Sequence, residues 1–187
     1  MIIAIVGAGG KTTLLKKLAK QYREAGKTVF ATTTTRMFIE EDTLLTDDAQ
    51  TIIRALQETG CVMAGIPEGI KFRSLSPETF QAVCVHADVV LVEADGSKHL
   101  PLKYPNSSEP VIPENTVEII VVWGPHGLHR PAREVCHRLE LVTRCLGITE
   151  ETLITMDHVT KLLREGYLIP LHRQFPRAEI RIWPPIG

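Results

Sequence analysis

The sequence predicts an α/β domain with a mostly parallel sheet between layers of helices, and three observations carry that expectation. Short, wholly apolar runs rich in β-branched residues alternate with helical stretches along the chain. The first of these runs lacks the in-out alternation of a half-solvated strand, as expected where helices cover both faces. Glycine-rich or polar segments follow several of the runs, at the carboxyl ends of strands where sheets of this kind bind ligands.

The elements follow in order. Ile2 to Val6 reads as a doubly buried strand running into glycines. From Thr12 to Ala25, Leu14, Leu15, Leu18, Ala19 and Tyr22 recur at helical spacing and Gly26 supplies the stop. Lys27 to Thr32 is a second strand, Asp47 to Thr59 a helix closed by Gly60, and Cys61 to Ala64 a strand. Ser76-Pro77-Glu78 supplies an N-cap, a first-turn proline and a first-turn acid for a helix to about Val85. Val89 to Val92 and Val117 to Trp123 read as strands, Arg133 to Leu146 and Thr155 to Glu165 as helices, and Ala178 to Trp183 as a last strand.

Composition sets bounds on function. A chain of 187 residues, 44% hydrophobic and 23% charged, suits a single domain spanning residues 1–187. A net charge of -1 gives no general attraction to nucleic acid or anionic membrane, so an anion must be bound locally. No apolar run reaches the roughly 18 residues of a membrane span, and the amino terminus lacks a basic leader, so a cytoplasmic protein is expected. Cys61, Cys84, Cys136 and Cys145 form no CxxC pair and are expected to be reduced.

Three segments carry chemistry. Gly7-Ala8-Gly9-Gly10-Lys11-Thr12-Thr13 lies between the first strand and first helix, where backbone amides and a glycine turn cradle phosphate. It is a shortened form of GxxxxGK[ST] and resembles the phosphate loop of Mur-type ligases and related P-loop enzymes. The fold expectation thus narrows to a P-loop NTPase-like three-layer domain. Lys11 would meet the β and γ phosphates of ATP or GTP, and the Thr12 hydroxyl would ligate Mg²⁺. Val89 to Val92 followed by Glu93-Ala94-Asp95-Gly96 looks like a Walker B strand, with Glu93 and Asp95 as metal ligands or catalytic acids. The same acids also fit a strand end and a turn. Thr32, Thr33, Thr34, Thr35 and Arg36 offer hydroxyls and a guanidinium that could sense γ-phosphate, or simply end a strand.

Taken together, Val6 to Thr13, Ala31 to Met37 and Val92 to Ser97 resemble the selenium-dependent hydroxylase accessory protein family, also called YqeC-like. The resemblance continues through Leu102-Lys103-Tyr104-Pro105, Glu109-Pro110-Val111-Ile112-Pro113 and Val135 to Arg138, to about Leu163. It implies a cytoplasmic P-loop protein linked to maturation of selenium-dependent molybdenum hydroxylases, with such a hydroxylase or its cofactor as partner. Members of this family continue into an Asn-Lys-x-Asp-like segment that could read a base, whereas this sequence ends at Trp183-Pro184-Pro185-Ile186-Gly187.

Lys98, His99, Lys103 and Glu109 follow the acidic strand in a loop stiffened by Pro101, Pro105, Pro110 and Pro113. They are candidates for a second-substrate site, the alternative being an ordinary surface excursion. His137-Arg138 is expected on a helix beside an inert Cys136. Three functions fit: an NTPase or phosphoryl or nucleotidyl transferase in cofactor assembly, a small-substrate kinase, and a nucleotide-gated switch with slow turnover. A Mur-type ligase is not expected, because such enzymes carry large extra domains that a chain of this length does not hold.

Overall fold

The computed structural model describes residues 1–186. The chain divides into two compact units: Met1–Ala4, Thr12–Ala94 and Ile112–Thr116 form the first, and Ile5–Lys11, Asp95–Val111 and the chain from Val117 onward form the second. The first strand, β1 (Ile2–Gly7), contributes to both.

The first unit contains α1 (Lys11–Glu24, from Thr12), β2 (Val29–Thr33), β3 (Arg36–Phe38), β4 (Thr43–Leu45), α2 (Ala49–Thr59), β5 (Cys61–Glu68), β6 (Lys71–Arg73), α3 (Pro77–Cys84) and β7 (Val89–Glu93). Its strands run in the order β1-β7-β2-β5-β6-β3, with β4 also paired to β5. β2 lies parallel to β7, in a register from Val29 opposite Val89 to Thr33 opposite Glu93. Every residue of β2 and β7 is buried, the polar Thr32, Thr33 and Glu93 at their ends included, and each fully buried Val or Leu stabilises by about 1.5–3 kcal/mol. Phe80 of α3 packs on Phe30 of β2 at 6.3 Å between ring centroids. The caps fall where the sequence places them. Asp48 accepts from Thr51 N at the start of α2, Gly60 closes it at φ 73°, and Ser76 caps α3.

The second unit holds β8 (Leu102–Lys103), β9 (Thr116–Val122, from Val117), α4 (Ala132–Val135), β10 (Cys136–His137), α5 (Leu139–Leu146), α6 (Met156–Leu163), α7 (Ile169–Gln174) and β11 (Glu179–Trp183). β11 runs parallel to β9, which neighbours β1.

The parallel α/β expectation holds, with differences. β6 pairs antiparallel with β5 and β3, so that edge of the sheet is mixed. β3, β4, β6 and β8 are two or three residues long and carry no periodic signal. The helix expected from Arg133 to Leu146 is broken. Cys136 and His137 leave the helical path to pair parallel with Leu102 and Lys103, and Arg138 turns left-handed at φ 62° before α5 begins. Pairing with a segment over thirty residues away overrides local helical spacing. The helix expected to end at Glu165 continues through a π-helical turn, Arg164–Leu168, into α7, whose Pro170 is tolerated in the first turn.

No helix among the described residues is long and apolar enough to cross a membrane. Among the same residues all four cysteines are free thiols. Burial pushes the Cys136 thiol up to about 12 and Cys84 to about 11, which keeps both protonated and inert near neutral pH.

Candidate functional site

The glycine loop is shaped by two separate demands. Gly7 (φ 92°) and Gly9 (φ 75°) adopt backbone angles that side chains rarely take, and both lie against neighbouring backbone. A Cβ on Gly7 would come 2.1 Å from Val122 O, and one on Gly9 2.6 Å from Gly124 Cα. Ala8 N donates to Val122 O at 2.8 Å, fixing the loop to the end of β9. Gly10 differs, since at φ 117° a Cβ would meet nothing within 4 Å. Packing accounts for Gly7 and Gly9, whereas at Gly10 only the backbone conformation demands glycine.

Within the first unit, Thr12 Oγ1 donates to Glu93 Oε2 at 2.8 Å, joining the first turn of α1 to the last residue of β7. Glu93 is buried. Its backbone oxygen accepts from Thr33 Oγ1 at 2.7 Å and from Thr34 N at 3.1 Å. Thr35 N donates to Thr33 Oγ1 at 2.9 Å, so the hydroxyl of Thr33 folds the chain back as β2 ends. Thr32 is turned away and donates to Ala64 O. Arg36 lies apart, exposed on β3 and paired with Glu68 of β5. The structure thus brings Thr12, Thr33 and Thr34 to Glu93, holds Thr35 to Thr33, and directs Arg36 to another partner.

Within the second unit, Lys11 Nζ donates to Gly7 O at 2.9 Å and to Ser97 Oγ at 3.2 Å. Lys11 is only 4% exposed, because its side chain folds back over the loop that precedes it. Asp95 is fully buried and both its oxygens are engaged. Oδ1 pairs with Lys103, while Oδ2 accepts from Gly7 N at 3.1 Å and from the Tyr167 hydroxyl at 2.8 Å. Lys103, whose side chain is wholly buried, also pairs with Glu109 at 2.7 Å, and Glu109 pairs with Arg138 at 2.9 Å. The result is a chain of alternating charge running Asp95, Lys103, Glu109, Arg138.

Electrostatics follow from burial. Burial pushes the Glu109 carboxyl up, but Lys103 and Arg138 outweigh it and hold the group below the usual carboxylate range. Tyr167 is driven well above its ordinary value by burial and then by the Asp95 charge, so it remains a donor. Burial, with Lys103, Arg138 and Lys98 adding to it, lowers His137.

Tyr167 and the Glu109 partner Arg138 escaped sequence reasoning. Tyr167 sits in the π-helical turn, where no helical or strand period marks it, and Arg138 was assigned to an unbroken helix. Ser97, which receives Lys11, lies in the Val92 to Ser97 segment that carries the family resemblance but was not singled out as a site residue.

A hard cation such as Mg²⁺ takes oxygen donors and keeps several waters. The Thr12 hydroxyl and Glu93 carboxylate fit that chemistry, whereas Asp95 would have to give up Lys103, Gly7 or Tyr167 to serve as a ligand. No group of three or more His, Cys, Asp or Glu among the described residues is placed to cage a metal, so water and phosphate would supply the other ligands. An open cleft of about 1190 Å³ in the first unit, lined by Lys16, Lys20, Arg23, Glu41, Asp42 and Cys61 among others, includes none of the loop residues 7–13.

Comparison with known proteins gives two matches. The family described as YqeC protein matches residues 3–140. The chain is 31% identical over 191 residues to a protein of Escherichia coli (strain K12) named "Uncharacterized protein YqeC", an alignment covering 97% of this chain and 74% of the relative. No solved structure matches.

Proposed function

Because the chain belongs to the YqeC protein family, we infer that it is a Mg²⁺-dependent nucleotide-binding accessory protein that acts in maturation of selenium-dependent molybdenum hydroxylases. The observation that carries the nucleotide reading is the 2.8 Å hydrogen bond from Thr12 to Glu93, at the start of a helix that follows a glycine loop. It pairs a hydroxyl and a carboxylate as a Mg²⁺-triphosphate requires. In this reading the amides of residues 7–13 and Lys11 hold the phosphates of ATP or GTP. Lys11 exchanges its contacts with Gly7 O and Ser97 for phosphate oxygens. Thr12 and Glu93 hold the metal, which when bound neutralises charge on the phosphates. Asp95 supports the loop from behind through Gly7 N. The chemistry is NTP hydrolysis, or transfer of the phosphoryl or nucleotidyl group to a second substrate in cofactor assembly.

A second reading, a nucleotide-gated switch, draws on the Thr33 and Thr34 contacts to Glu93 O. A segment held by the metal-binding residue can pass a change at the phosphates to a partner surface. Turnover measured with and without the target hydroxylase distinguishes the two, since a switch turns over slowly until its partner is present.

Equilibrium binding of ATP and of GTP with Mg²⁺, repeated on Lys11→Ala, tests the site and the base together. The variant is expected to lose affinity by at least about tenfold while keeping the far-ultraviolet circular dichroism of the parent. Equal affinity in the two proteins removes the phosphate-loop reading. Glu93→Gln is expected to lower Mg²⁺-dependent turnover more than binding.

A further inference from the structure

The end of the charge chain in the second unit holds two polar atoms that no described residue satisfies. His137 Nδ1 and Arg138 Nε are buried and make no hydrogen bond to any described residue. Orphaned buried donors and acceptors are rare and call for a partner, since an unpaired one forfeits the hydrogen bond it makes in water. That two such atoms fall on consecutive residues points to one local site rather than two accidents.

The fold has built this place deliberately. The parallel pairing of β10 with β8 sets His137 opposite Lys103, and the left-handed turn at Arg138 carries its guanidinium to Glu109. Backbone angles of this kind cost free energy in residues other than glycine and cluster at ligand sites. Lys98 and His99, the other residues of the loop after β7 with positive φ, are exposed, and Lys98 is close enough to act on the His137 ring. Three cations, Lys98, Lys103 and Arg138, face two carboxylates, Asp95 and Glu109, leaving one surplus positive charge beside a neutral imidazole. His137 and Arg138 are half-buried rather than enclosed, so part of each side chain reaches solvent.

We propose that Lys98, His137 and Arg138 form an anion site that binds the phosphate group of a second ligand, separate from the phosphate loop. Arg138 offers a planar fork of donors of which Glu109 uses Nη2, leaving Nε for a phosphate oxygen. His137 takes up a proton as the anion arrives and donates from Nδ1, which brings the local charge to match a dianion. Lys98 closes the charge balance from the exposed side. The ligand class is a small phosphorylated molecule held by its phosphate. The proposal stands independently of the nucleotide reading, because none of its three residues belongs to the glycine loop.

The probe is inorganic phosphate, read by the imidazole ¹⁵N shifts of His137 in the full chain, with Lys11→Ala and Arg138→Gln as parallel samples. Saturable phosphate binding is expected on the order of 1 mM, with the His137 titration moving to higher pH. Lys11→Ala is expected to keep that response. Arg138→Gln should weaken it at least about tenfold, and so should Lys98→Ala, whose exposed side chain puts folding at little risk. The absence of any phosphate-dependent shift at His137 in the parent overturns the proposal. So does a response that Lys11→Ala abolishes, which would assign the phosphate to the glycine loop, or one that survives both Lys98→Ala and Arg138→Gln.

Discussion

Lys103 is the residue whose role the structure changes most. Its ammonium is wholly buried between Asp95 and Glu109, and it has no exposed surface with which to meet a substrate. A buried ion pair contributes little net stability against an apolar pair of the same shape, but removing one partner strands the other charge. Lys103→Met is therefore expected to destabilise the protein by about 3–5 kcal/mol, because Asp95 would keep only Gly7 N and Tyr167 as partners. Thermal denaturation checks this, with a melting point roughly 10 °C below the parent. Adding Asp95→Asn to Lys103→Met should recover part of the loss. If the single variant melts with the parent, the pair is not the keystone that its burial implies. The same logic separates the two acids of the Walker B-like segment. Glu93 faces the Thr12 hydroxyl, whereas Asp95 is spent on holding the start of the glycine loop.

Elements in this protein are positioned by what lies beyond their ends. The loop between β1 and α1 carries glycines that look equivalent in sequence, yet backbone lies against two of them and open space beside the third. Gly9→Ala must both strain a φ of 75° and displace the backbone at Gly124 and Pro101, so it is expected to lower the melting point by several degrees. Gly10→Ala faces only the conformational cost and should melt closer to the parent, while its effect falls on nucleotide binding. Denaturation and binding curves for the two variants check the contrast, and equal destabilisation would show that packing does not distinguish them. The π-helical turn between α6 and α7 works in the same way. By adding a residue to the turn it carries Tyr167 inward to Asp95, with Gly166 lying against Pro105 and Tyr104.

At the scale of the whole molecule, pH acts in part through two partly buried groups of the second unit. His137 is held below its ordinary value of 6.5 by burial and by Lys103, Arg138 and Lys98, with Glu109 opposing. The unfolded chain therefore binds this proton more readily, and stability falls as pH drops through 6.5 towards the folded value. Glu109, lowered from 4.5, adds a second loss as pH falls below that value. Melting points measured from pH 8 down to about pH 4 should decline in these two steps, and His137→Gln should flatten the upper one. An unchanged upper step in that variant would assign it to another group. What the sequence determined by itself was local. Apolar β-branched runs, caps such as Asp48, Ser76 and Gly60, and the glycine loop between strand and helix are written in neighbouring residues, so β1, α1, α2, α3 and β7 fall close to where periodicity and capping place them. The candidate residues Lys11, Thr12, Glu93 and Asp95 were legible for the same reason. Only the tertiary structure decided that Lys11 and Lys103 are buried, that Arg36 belongs to Glu68, that the helix at 133–146 breaks at His137, and that Tyr167 reaches Asp95. Each of these depends on a partner more than thirty residues away or on exclusion from water. Neither is encoded in local spacing, because burial of a charge is settled only when the groups that compensate it arrive from elsewhere in the chain.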